Sequence, residues 1–140
     1  MTELGQFQFN PPNHAVFWLQ GKIEQPQVEN LFSQLAAAVS GLPYFFITID
    51  VKDYRGDTPE ARRYSSDQFR ELPPRAAAII ADSFMQRTMA KVLFTAIEML
   101  AGERRQFTKI FKREDPVQPW FDSMIPTLEA AARSGKRPAP

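Results

Sequence analysis

The segment Tyr44 to Val51, YFFITIDV, restricts the fold more than any other part of the chain. It is nearly unbroken in aromatic and β-branched residues, with only Thr48 and Asp50 polar. Such a strand has no face to offer water, which predicts a place in the middle of a largely parallel sheet, covered on both sides. A chain of 140 residues, 44% of them hydrophobic, has room for one domain and enough apolar surface for its core.

The covering helices are legible on either side. Val28, Leu31, Phe32, Leu35, Val39 and Leu42 recur at steps of three and four, one stripe of a helix that starts at Gln25. Pro26 suits its first turn, and Gly41 and Pro43 stop it. Ala61, Tyr64, Ser65, Gln68, Phe69 and Leu72 share a second helical face, closed by Pro73-Pro74. Phe84 to Leu100 forms a third helix, with Phe84, Met85, Met89, Val92, Leu93, Ala96, Ile97 and Leu100 on a broad apolar face. A fourth begins at Asp115-Pro116 and carries Trp120, Phe121, Met124, Ile125 and Leu128, with a break or kink expected from Pro119 and Pro126.

QFQFN (residues 6–10) and HAVFWLQGKI (residues 14–23) read as two strands paired about the PPN turn. AAAIIAD and QFTKIF supply two more. Strands that alternate with helices after an initial hairpin predict an α/β fold. Its sheet is mixed and mainly parallel, of four to five strands, with an N-terminal antiparallel edge strand and helices packed on it. Residues 1–132 are expected to form a single domain, and 133–140, RSGKRPAP, a disordered tail.

Composition removes several kinds of chemistry. Seventeen basic against sixteen acidic residues give no pull toward nucleic acid or an anionic membrane surface. The absence of cysteine removes thiolate nucleophiles and sulfur-ligated metals, and a single histidine, His14, removes paired-imidazole sites within one chain. The six glycines are scattered and build no phosphate-cradling loop, so no nucleotide cofactor is expected. The N-terminus lacks the basic start and apolar core of a signal peptide, and the longest apolar-rich stretch is interrupted by Arg87, Lys91 and Glu98. A cytoplasmic protein without a membrane span is the expectation.

The layout resembles the STAS domain, the fold shared by sulfate-transporter tails and anti-sigma-factor antagonists. The resemblance rests on the N-terminal strand pair, GKIEQPQVENLFSQL, FITID and YRGDTPEARRY. The second half, from RAAAIIAD to FTKIFKREDPVQPWF, is similar to the SpoIIAA-like branch, also described as STAS/SEC14-like. In that family a strand reaches a glycine, then come a helix and an apolar strand ending in aspartate. A serine or threonine follows at the next helix start, where partner kinases phosphorylate it. The matching residues are Gly21, Asp50 and Thr58. Where the antagonists carry a hydroxyl-rich stretch such as Asp-Ser-Ser-Gly, this chain has GDTPEAR with one hydroxyl. The resemblance thus implies a non-enzymatic regulatory domain with a protein partner, a kinase or anti-sigma-like factor, and Thr58 as its phosphorylation point.

Read from the residues themselves, Thr58, Pro59 and Glu60 are what a helix start asks for, a cap followed by a first-turn proline and acid. Asp50 and Asp53 stand at the carboxyl end of the apolar strand, where open α/β sheets place ligands, yet no histidine or third carboxylate accompanies them. Arg55, Arg62 and Arg63 surround the helix start, partly neutralised by Asp57 and Glu60. We therefore expect Asp50, Asp53, Arg55, Thr58 and Arg62 to form a partner-binding rim. The apolar face of Phe84, Met85, Met89, Val92 and Leu93, taken with Trp120, is either a helix buried on two sides or a homodimer or ligand face. The alternative function that follows from it is a carrier or sensor of a small lipid-like molecule. A hydrolase built on Asp50 with His14 or Ser65 is the third reading, and Ser65 lacks the sharp Gly-flanked turn of a serine nucleophile.

Overall fold

The computed structural model describes residues 5–101 and 106–134. Nine elements follow one another: β1 (Gly5–Asn10), β2 (His14–Ile23), α1 (Gln25–Val39), β3 (Phe45–Asp57), α2 (Pro59–Glu71), β4 (Arg75–Ile80), α3 (Phe84–Ala101), β5 (Gln106–Phe111) and α4 (Gln118–Ser134). The strands form one sheet in the order β1-β2-β3-β4-β5. β1 runs antiparallel to β2, and every other neighbouring pair is parallel. The sheet is therefore the mixed, mainly parallel one expected, with its antiparallel strand at the N-terminal edge.

Alternation along β3 builds two separate cores, because successive strand residues point to opposite faces. Phe45, Ile47, Ile49 and Val51 join Ala77 and Ile79 of β4 and pack beneath Leu31, Phe32 and Leu35 of α1, Phe69 of α2 and Phe94 of α3. Phe46, Ala76, Ala78 and Ile80 face the other way, against Phe121 and Leu128 of α4. All six residues of β4 are buried, and its three alanines let both layers approach the sheet closely. α1 opens with a capping box in which Glu24 and Gln27 satisfy each other's end of the helix. Tertiary cover on both faces overrides alanine's poor strand propensity in β4.

Three boundaries differ from the sequence reading. β3 does not stop near Asp50 but runs to Asp57, because β2 continues beside it and pairs Gln20 with Asp53 and Ile23 with Asp57. α4 begins at Gln118 rather than Asp115, since the Asp115 carboxylate accepts from the Lys112 amide and closes a turn there instead. Pro119 then falls in the first turn, where a missing N–H costs nothing, and the helix continues through Pro126 to Ser134. Neither proline interrupts the helix, and the first two residues assigned to the tail, Arg133 and Ser134, belong to it. The remainder of the tail and most of the GERRQ loop lie outside the described residues.

Candidate functional site

The functional geometry begins where β3 outlasts β4. Their pairing ends at Asp50–Ile80, so residues 51–57 continue as a two-stranded ribbon with β2 alone. Along that ribbon the register slips twice. Trp18 pairs with Asp50 but Gln20 with Asp53, and Gly21 pairs with Tyr54 but Ile23 with Asp57. In each step β3 spends three residues against two of β2, which is a β-bulge and reverses the alternation of faces. Gly21, at φ 68°, and Gly56, at φ 111°, supply backbone conformations that other residues rarely adopt. The bulges bring Tyr54 and Asp57, three residues apart, onto the helix-covered side together.

A polar cluster results. The Asp57 carboxylate accepts from the Arg62 guanidinium at 2.8 Å. It also receives the Tyr54 phenol, whose pKa is pushed above its ordinary value by burial first and by the Asp57 charge second. Arg62 is held protonated still more firmly by the same carboxylate. Beside them, Thr58 Oγ1 accepts from the Ala61 amide at 3.1 Å, and the Thr58 amide donates to the Ile23 carbonyl. Thr58 thus caps α2 and pins the ribbon's end. Glu60 lies in the first turn of the helix, as its dipole favours. Across a groove from Tyr54, Gly56, Asp57 and Arg62 stand Thr88, Met89 and Val92 of α3.

The opposite face of the strand end holds a second cluster. Arg113, just after β5, forks onto both Asp50 carboxylate oxygens at 2.8 and 3.0 Å, and its Nε donates to Asp82 just after β4. Burial alone would raise the Asp50 pKa, but the Arg113 bonds, the Lys52 amide and the nearby charges outweigh it and hold the carboxyl below its usual range. Gln86 completes the corner: its amide donates to the Lys52 carbonyl, and its oxygen accepts from the Asp82 and Ser83 amides. Arg113, 63 residues from Asp50 in the chain, was absent from the sequence reading, and no local signal marks the pair. The signal that marks Asp57–Arg62 is their closeness at one helix start.

The structure therefore divides the sequence candidates. Thr58 and Arg62 stand together with Asp57 and Tyr54. Asp50 belongs to the Arg113 corner. Asp53 and Arg55 are exposed on the ribbon and make no ion pair among the described residues. On α3, Phe84, Met85 and Val92 are 78%, 71% and 67% exposed, while Ala90 and Phe94 are buried. The helix is not buried on two sides among its described side chains; Leu93's side chain lies outside them. Trp120 packs on Phe111 and Phe121 across the sheet, and it shares no face with α3.

The three groups of the hydrolase reading are dispersed. His14 bonds Thr48 Oγ1 at 2.9 Å and stands edge-on to Phe121, and burial lowers its pKa. It neighbours Phe46, four residues before Asp50 along β3, roughly 13 Å at strand rise. The Ser65 hydroxyl donates to the Ala61 carbonyl on the other side of the sheet. No three acidic or imidazole groups among the described residues converge to hold a metal ion. No helix among them is long and apolar enough to cross a membrane. The interior cavity between the sheet and the helices of its α1 side measures only about 40 Å³, lined by Phe17, Phe32, Ile49, Tyr54 and Phe94 among others. Ligand pockets run to roughly 300–1,000 Å³, a size that open surface grooves reach, among them the one between Tyr54, Arg62 and Met89 at about 410 Å³.

Five strands in this order, three helices on one face and a fourth closing the other define a SpoIIAA-like α/β domain. A solved protein of Shewanella loihica PV-4, described as an uncharacterized member of the DUF3478 family with a SpoIIAA-like fold, superimposes at a TM-score of 0.60 over 83% of this chain and 90% of its own, with 16% identity. That likeness shows the fold. No family model matches the chain, and no curated protein matches it.

Proposed function

We propose that this chain is a non-enzymatic regulatory domain of the bacterial cytoplasm that works by binding another protein, a kinase or anti-sigma-like factor. The observation that carries the reading is the groove in which Asp57 and Arg62 face Met89 and Val92. It offers a partner segment an apolar wall and an ion pair at its lip, with the Thr58 hydroxyl at the adjoining helix start. Asp53 and Arg55 extend the polar rim along the ribbon, Asp50 stands apart in the Arg113 corner, and the exposed Phe84 and Met85 extend the apolar rim.

Phosphorylation of Thr58 is the switch in this reading. A phosphate adds a charge of about −1.5 to −2 at the positive end of α2. It competes with Asp57 for Arg62 and repels the Asp57 carboxylate, so the ion pair at the lip of the groove is remade. The test is capture from the native cell extract by wild type, Thr58→Glu and Thr58→Ala, with each bound protein then titrated. Thr58→Glu is expected to change partner affinity at least about tenfold, equivalent to roughly 1.4 kcal/mol. Thr58→Ala, which loses only a cap worth about 1 kcal/mol of folding stability, is expected to bind as wild type does. Equal affinity for all three ends the switch.

A further inference from the structure

We infer that β1 pairs antiparallel with β1 of a second copy, joining two sheets of five strands into one of ten. The inference is independent of the Thr58 groove, which lies at the far end of the β2–β3 ribbon. Among the described residues, nothing pairs with the outer edge of β1. An edge strand leaves half its backbone N–H and C=O groups without sheet partners, and soluble proteins guard such edges with lysine, proline, bulges or inward charges. The β1 segment GQFQFN carries none of these, and its pairing with β2 is unbroken from Gly5–Leu19 to Asn10–His14. At the other edge, β5 does carry an exposed lysine, Lys109.

The occupant is identified by self-complementarity. Placing a twofold axis at Gln8, perpendicular to the sheet, sets Gln8 opposite itself, Phe7 opposite Phe9 of the second copy, and Gln6 opposite Asn10. Residues directly opposite in an antiparallel pair share a face. Both phenylalanines then fall on the α1 side of the joined sheet and all the amides on the other. Phe7 and Phe9 are only partly buried within one chain, so pairing finishes their cover. The helix above the edge fits the same partner. Gln25 and Ala36 of α1 face α2 across surface grooves. The opposite flank presents Gln34, exposed, and Gln27 and Ala38, half-buried, and these three carry no charge. An edge wall without charge offers nothing to a strongly acidic or basic partner, whereas a second copy matches it strand for strand and flank for flank.

The experiment uses the full chain. Sedimentation equilibrium over about 1–200 µM, the range in which micromolar association is visible, is expected to show one chain mass passing to two. Gln8→Lys and Gln8→Asp each place like charges face to face at the axis; each alone is expected to associate at least about tenfold more weakly, and an equimolar mixture to recover the dimer. Because the chain has no cysteine, Gln8→Cys provides a clean second readout: mild oxidation is expected to give a disulfide-linked dimer, and Phe84→Cys on exposed α3 is not. A wild type that stays monomeric, open-ended growth beyond two chains, undiminished association of Gln8→Lys, or a mixture no tighter than its components each overturns the inference.

Discussion

Arg75 and Arg113 tie together the two ends of the parallel strands under contrasting conditions. At the amino ends, Arg75 opens β4 at 1% exposure. It donates to Gln106 at the start of β5, at 2.9 Å, and to the Phe69 and Leu72 carbonyls that end α2. Its guanidinium lies over the Phe45 and Phe69 rings at 5.7 and 5.0 Å. At the carboxyl ends, the Arg113 side chain is 45% exposed and holds two carboxylates, Asp50 and Asp82. The outer arginine has stronger formal partners but shares them with water. The bonds described for the inner one go to neutral oxygens in a place water does not reach, where solvent does not replace a lost donor. Burial, more than the charge of the partner, sets what each tie is worth.

The largest expected effect follows. Arg75→Met keeps the apolar volume but takes the charged donor from the buried Gln106 oxygen and one bond each from the Phe69 and Leu72 carbonyls, and is expected to lower unfolding free energy by about 3 kcal/mol. Arg75→Lys is expected to recover little of it, because a single ammonium cannot reach three acceptors on two elements in the guanidinium's fixed geometry. Urea unfolding of both variants measures the difference. If Arg75→Met unfolds at the wild-type midpoint, the contrast between the two edges fails at its stronger end.

Arg113→Ala comes next. A half-exposed ion pair contributes little on its own, and the two-oxygen fork raises this one to about 1 kcal/mol. Screening distinguishes it further: in about 1 M salt, where charges are felt over only some 3 Å, the loss on Arg113→Ala is expected to shrink by about half. The Arg75→Met loss is expected to shrink far less. A salt dependence of the same size in both variants would erase the distinction between an exposed tie and a buried one.

The same contrast explains what the sequence revealed. Elements whose cause is local were legible: the α1 stripe from Val28 to Val39, the Thr58 cap and the punctuating prolines at 43 and 73–74. β3's apolar run predicted a strand covered on both faces, and Phe45 and Phe46 entering separate cores bear that out. The extension of β3 to Asp57 was not legible, because its hydrophobic pattern fades after Val51 and only pairing with β2 holds it. The bulges that unite Tyr54 with Asp57 follow from a register between two strands, and neither strand encodes that alone. Arg75 and Arg113 escaped notice for a related reason. An arginine beside a strand is ordinary in a sequence until the fold determines what surrounds it.

The smallest effect is in acid, and its sign separates the fork from the burial around it. Arg113 and the Lys52 amide hold the Asp50 carboxyl below its ordinary value of 3.8 in the folded chain. A carboxylate so depressed adds stability above its unfolded value, and that contribution is lost as pH falls through the lower folded value. Without Arg113, the burial that already opposes ionisation has no guanidinium to offset it, and the Asp50 pKa is expected to rise instead. Protonation then relieves the variant while it weakens the wild type. The gap between them, read from urea midpoints, is expected to be widest near neutral pH, to narrow as pH falls through the variant's raised value, and to close only once pH has passed below the depressed value of the wild type. A gap that does not narrow at all between neutral pH and acid would mean that Arg113 stabilises through its packing, and that the carboxyl ends are held much as the amino ends are.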